Sequence, residues 1–94
     1  MLMRPSELEG KNVIGTGGKV VGTVSGMEFE HLSWKVTRLA VRLSEDAIQT
    51  LGYKKPFLGH VEILISVDAV KGVADVVTLN KSITELRSAI EPPK

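Results

Sequence analysis

The sequence, 94 residues long, contains no cysteine. That excludes a disulfide framework and thiolate zinc sites, and it removes any pointer to an oxidising compartment. Aromatic residues are scarce, with one Trp, one Tyr and two Phe, so the core must be aliphatic. An excess of one charge is also lacking. The 12 Lys and Arg nearly balance 11 Asp and Glu, leaving a formal charge of +1, well short of the basic excess of a dedicated nucleic-acid binder. Apolar runs such as Ile63-Leu64-Ile65 are short, far from the ~18 residues of a membrane-spanning helix. The segment Met1-Leu2-Met3-Arg4-Pro5 has neither the charge order nor the apolar stretch of a signal peptide. The expected location is cytoplasmic.

What the sequence does contain is a globular balance of 43% hydrophobic and 24% charged residues. The length suits a single domain over residues 1–94. A domain this small buries only about 60–65% of its unfolded surface, so covering further apolar area would stabilise it.

A mainly β pattern runs along the chain. Glu7-Leu8-Glu9 can form one helical turn. Val13-Ile14 is a short strand candidate, followed by the Gly15-Thr16-Gly17-Gly18 turn. A long strand is expected over Val20 to Glu30, with Gly22 and Gly26 marking bulges or bends. His31-Leu32-Ser33 then connects it to a strand over Val36 to Leu43. In that strand Thr37, Leu39, Val41 and Leu43 share one face, and Arg38, Ala40 and Arg42 share the other. Ser44 reads as the N-cap of a short helix that carries Glu45 and Asp46 in its first turn and ends at Gly52. Val61 to Val67 alternates as a strand, Asp68 to Gly72 reads as a turn or one helical turn, and Val73 to Leu79 reads as one more strand. Ser82 and Glu85 form an S-x-x-E capping box ahead of a C-terminal helix bearing Ile83, Leu86 and Ile90 on one face. The expectation is a small β-barrel of about six short strands, with one inserted short helix and a C-terminal helix.

No motif supports catalysis. Gly15-Thr16-Gly17-Gly18-Lys19 leads into a strand rather than a helix and lacks the Ser or Thr of a P-loop, so it reads as a hairpin turn. His31 and His60 have no second ligand at helical spacing. Asp68 and Asp75 lie near turns, where Asp commonly bonds its own backbone. No G-x-S-x-G elbow is present. The expectation is a protein without enzymatic activity and without a cofactor or metal.

Two groups of residues remain as candidates for binding a partner. Lys35, Arg38, Arg42, Lys54 and Lys55 would form a positive patch if the strand and the loop lie close together, either simply a solvated face or a surface fit for an acidic protein. Trp34, Tyr53 and Phe57, with Phe29, either plug the barrel ends or serve as interface anchors.

The run Gly22-Thr23-Val24-Ser25-Gly26-Met27-Glu28-Phe29-Glu30 and the following Trp34-Lys35-Val36-Thr37-Arg38-Leu39 resemble the core of archaeal stand-alone PRC-barrel proteins. Leu51 to Pro56 is similar to the middle loop of that family. Ile65 to Val70, Gly72 to Leu79 and Ser82 to Leu86 are similar to its C-terminal signature, so the resemblance implies a domain core at about 8–86. One departure is Ser66, where an I-P-V type run is common in the family, and the glycine-rich early hairpin is another. The resemblance implies a dimerising assembly module. Related domains belong to a structural subunit of photosynthetic reaction centres and to a ribosome-maturation factor. Stand-alone archaeal versions are associated with cell division, linking to the SepF-type anchor of the FtsZ ring. The implied partners are therefore a SepF-type division protein or another PRC-barrel protein, in a homodimer or heterodimer recruited to the division site. An RNA- or ribosome-associated maturation factor is the alternative.

Overall fold

A computed structural model describes residues 3–54, 59–88 and 90–91, with backbone alone for residues 87, 88, 90 and 91. A single turn of helix, α1 (Pro5–Leu8), precedes β1 (Asn12–Ile14), β2 (Val20–Glu30) and β3 (Lys35–Leu43). Then follow α2 (Glu45–Leu51), β4 (Glu62–Ser66), a 3-10 turn at Val67–Ala69, β5 (Val70–Val73), β6 (Val77–Leu79), a 3-10 turn at Thr84–Ser88, and β7 (Ile90–Glu91). The seven strands form one sheet in the order β5-β6-β1-β2-β3-β4-β7. Neighbours are antiparallel except β1 and β6, which run parallel. Strands β5 and β7 stand at the two ends of this order, so the sheet curls around its core without being closed by pairing.

The core is aliphatic, as the composition requires. Val13, Val21, Val24, Leu39, Val41, Ile63, Ile65, Val77 and Leu79 come from the strands, and α2 adds Ala47, Ile48 and Leu51. In α2 the sequence reading holds at both ends: the Ser44 hydroxyl accepts from the Ala47 N–H, and Gly52 closes the helix at φ 79°. Gly17 and Gly18 take positive φ in the first turn. The β2 bulge falls between Val24 and Gly26. Gly22 serves a different purpose, because a Cβ there would run into the Arg42 carbonyl on β3. Gly22 also adjoins the β1–β2 irregularity, where Val21 is passed over between the Val13–Gly22 and Ile14–Val20 pairs, so close strand approach and a bulge coincide there.

Several expectations are corrected. The segment Val73 to Leu79 is not one strand. It breaks at a turn closed by the Ala74 N–H to Val76 carbonyl bond, 2.9 Å, and Val70–Val73 on its near side is itself a strand. The Ser82–Glu85 capping box forms in both directions, with Ser82 N–H donating to the Glu85 carboxylate and Glu85 N–H donating to the Ser82 hydroxyl. What it caps is a short 3-10 turn rather than a long helix. Ile83 and Leu86 are buried there, but Ile90 pairs with Ile65 as part of β7. On β3, Thr37 is exposed and Ala40 is buried, against the simple alternation. The reason is the second β2–β3 irregularity, between Glu28 and Phe29, which skips Thr37 and shifts the phase of the strand's first residues.

Candidate functional site

Strands β2 and β3 extend as a hairpin past the end of β4, which pairs only with Arg38 to Arg42. The hairpin tip is tied down locally. The Glu30 carboxylate accepts from the Leu32 and Ser33 N–H groups at 2.8 and 2.7 Å, and the Trp34 N–H donates to the Glu30 carbonyl at 2.7 Å. These bonds hold the Glu30 carboxyl below its ordinary pKa of 4.5, with the Ser33 and Leu32 backbone donors as the leading causes. Trp34 takes φ 60°, the left-handed region that a bulky side chain normally avoids. That turn places its ring against Phe29, with centroids 5.3 Å apart and planes at 15°.

The tip is nonetheless open to solvent. Leu32 is 83% exposed, Trp34 74% and Phe29 51%. Three large apolar groups therefore stand in water at the end of the hairpin, an arrangement that costs free energy unless something covers them. Trp34 is thus not a plug for the core. Tyr53 also lies at the surface, just beyond α2, with Lys54 exposed beside it. Lys55 and Phe57 lie outside the described residues.

The basic residues of β3 do not stand alone. Arg38 forms an ion pair with Glu28. In register, Glu30 stands opposite Lys35, Glu28 opposite Arg38, and Glu62 opposite Arg42. Each cation of the strand therefore faces a carboxylate, which makes a mixed-charge surface rather than a positive stripe. The cross-strand acids were all present in the sequence, but their pairing depends on a register that two bulges set.

Beside the hairpin lies an apolar groove of about 300 Å³. Met27 of β2 and Val36 and Leu39 of β3 form one wall, Val70 and Val73 of β5 another, and Leu8 of α1 a third. The sequence reading did not find this groove. Its residues come from five separate elements, Val67 of the first 3-10 turn among them, and the β5 pair was read as a turn and a strand start. Among the described residues, no group of three or more His, Asp or Glu is placed to hold a metal ion, and no helix is long and apolar enough to cross a membrane.

An aliphatic core wrapped by a curled sheet of this order, with an exposed aromatic hairpin, defines a small barrel-type β domain. The chain belongs to the PRC-barrel domain family, whose profile matches residues 1–85. No curated protein matches it in sequence. Among solved structures it is similar to a putative 16S ribosomal RNA processing protein, RimM, from Pseudomonas aeruginosa, with a TM-score of 0.54 at 15% identity. The match covers 83% of this chain and 43% of that one, so the chain spans less than half the length of the protein it resembles. At that identity the likeness is one of fold.

Proposed function

We propose that this PRC-barrel domain is a non-enzymatic protein–protein adaptor that makes its contact through the β2–β3 hairpin tip. The observation that carries the reading is the stacked, exposed Phe29–Trp34 pair with Leu32 beside it, fixed by the Glu30 bonds before any partner arrives. Preorganised aromatic anchors lose little conformational freedom on binding, which is the property of an interface hot spot. Lys35 and Arg38, flanked by Glu28 and Glu30, supply a mixed-charge rim around them. The finer reading, drawn from the family resemblance, is an adaptor in archaeal cell division that dimerises and binds a SepF-type anchor of the FtsZ ring. Light scattering of the chain with and without a SepF-type protein tests it. A gain in mass that Trp34→Ala abolishes is the expected result, and unchanged mass in the mixture contradicts the division role.

A second reading is a ribosome-associated factor. The fold likeness to RimM, whose description names 16S ribosomal RNA processing, supports it. Against direct RNA contact through β3 stands the acid facing each of its cations, Lys35, Arg38 and Arg42, which breaks up a basic track along that strand. RNA that co-purifies at low salt and is lost steeply as salt rises would favour this reading.

A further inference from the structure

Most of the exposed large apolar side chains among the described residues gather along one strip. Phe29, Leu32 and Trp34 occupy the hairpin tip, and Met3, Val36 and Val73 stand around the groove. Phe29 links the two, because it stacks on Trp34 and is the register partner of Val36. Cross-strand partners of this kind lie about 5 Å apart. The two ends of the strip differ in shape, since the tip projects and the groove is concave. A cavity of about 150 Å³ already holds a benzene ring, so the groove's volume of about 300 Å³ accepts one large apolar side chain. It does not admit a whole helix, which is about 10–12 Å across with its side chains. Arg4, the charged residue in the groove's wall, makes no ion pair among the described residues.

We infer that the partner meets this strip with a short extended acidic segment, which seats one bulky apolar side chain in the groove, rests a second on the Phe29–Trp34 pair and sets a carboxylate against Arg4. This rests on the adaptor reading, in which the tip is a contact surface, and names the chemistry of what it contacts. Side chains two residues apart in an extended chain share a face at about 7 Å, the scale of the step from the ring pair across Val36 to the groove. An apolar-x-apolar run followed by Asp or Glu therefore fits the strip. The anchor in the groove carries most of the affinity, as an apolar side chain in a preformed concave site does. Arg4 is exposed, so its ion pair adds only a few-fold in affinity and chiefly fixes the direction of the segment. The Glu28 and Glu30 carboxylates beside the tip repel an anionic lipid surface, which favours a peptide over a membrane as the occupant.

The probe is an end-blocked, fluorescein-labelled peptide, Gly-Leu-Ser-Leu-Asp-Asp-Gly, titrated with the full chain and followed by fluorescence anisotropy. Saturable binding is expected, weakened at least about tenfold by Val73→Asp and by serine in place of the peptide's second leucine. Val36→Asp, on the opposite wall, repeats the first of these. All three positions changed in the chain, with Arg4→Glu, are exposed, so the variants should keep the native circular dichroism. Arg4→Glu should weaken binding about threefold and prefer a peptide with lysines in place of the aspartates, a reversal that a merely structural role would not produce. The inference is overturned by a native chain that does not bind the peptide, by binding that both groove variants leave unchanged, or by a charge preference that Arg4→Glu does not reverse. Capture of the chain by anionic phospholipid vesicles, with the peptide ignored, overturns it too. If Trp34→Ala abolishes binding of a SepF-type protein while the groove variants do not, this inference fails and the adaptor reading stands. If the groove variants abolish peptide binding and Trp34→Ala changes neither partner's binding, the tip reading fails and takes the second anchor with it.

Discussion

Two residues show how single side chains shape this surface. Glu30 is a tip carboxylate satisfied by two backbone donors, and its side chain holds the turn most strongly while ionised. Its folded pKa lies below the ordinary value of 4.5. The stabilisation is therefore fully present above that value and is lost as pH falls through the lower, folded one. Titration followed by NMR should show the Leu32 and Ser33 amides shifting in that acid range and steady above pH 5, a pattern that Glu30→Gln should abolish. Amides that titrate near neutrality instead would contradict the assignment. Gly22 acts at the same scale by omission. Gly22→Ala drives a methyl into the Arg42 carbonyl and should cost about 1–3 kcal/mol, read from urea denaturation. The sequence marked Gly22 as unusual, but only the β2–β3 register shows what it avoids.

Elements follow the sequence where their signals are local. Ser44 and Gly52 bracket α2 because cap chemistry acts within a turn, and Ser44→Ala should cost about 1 kcal/mol of stability by thermal or chemical unfolding. An unchanged midpoint would show that the cap is dispensable. Strands β2 and β3 were equally legible, since alternation and the Gly15–Gly18 turn lie close in the chain. The C-terminal third was less so. Apolar β-branched residues continue through Val70, Val73, Val76 and Val77, so the turn residue Asp75 is outweighed as a signal of the bend between β5 and β6. Ile90 fits a helical face after the capping box, but pairing with Ile65 draws it into the sheet. Such tertiary pairing outweighs local propensity when a sheet edge needs a partner. Leu86, wholly buried after that box, anchors the segment: Leu86→Ala should cost about 2–5 kcal/mol in the same assay.

At the scale of the whole molecule, the hairpin is an arm on an otherwise well-buried aliphatic body. Trp34, Lys35, Arg38 and Arg42 were identifiable as candidates from sequence. Their roles were not, because exposure of the ring, the acids opposite the cations and the neighbouring groove all depend on long-range register. The body holds the arm through β2 and β3, while Trp34 itself adds little to folding. Trp34→Ala should accordingly shift the melting temperature by only a degree or two while weakening association strongly, a split that a core tryptophan would not give. The chain carries one tryptophan, so its fluorescence reports the tip alone. The most direct measurement is Trp34 emission and acrylamide quenching across a series of protein concentrations and with added SepF-type protein. The account predicts a shift to shorter wavelength and a loss of quenching as complexes form. Emission that stays that of a water-exposed indole in every complex would contradict it.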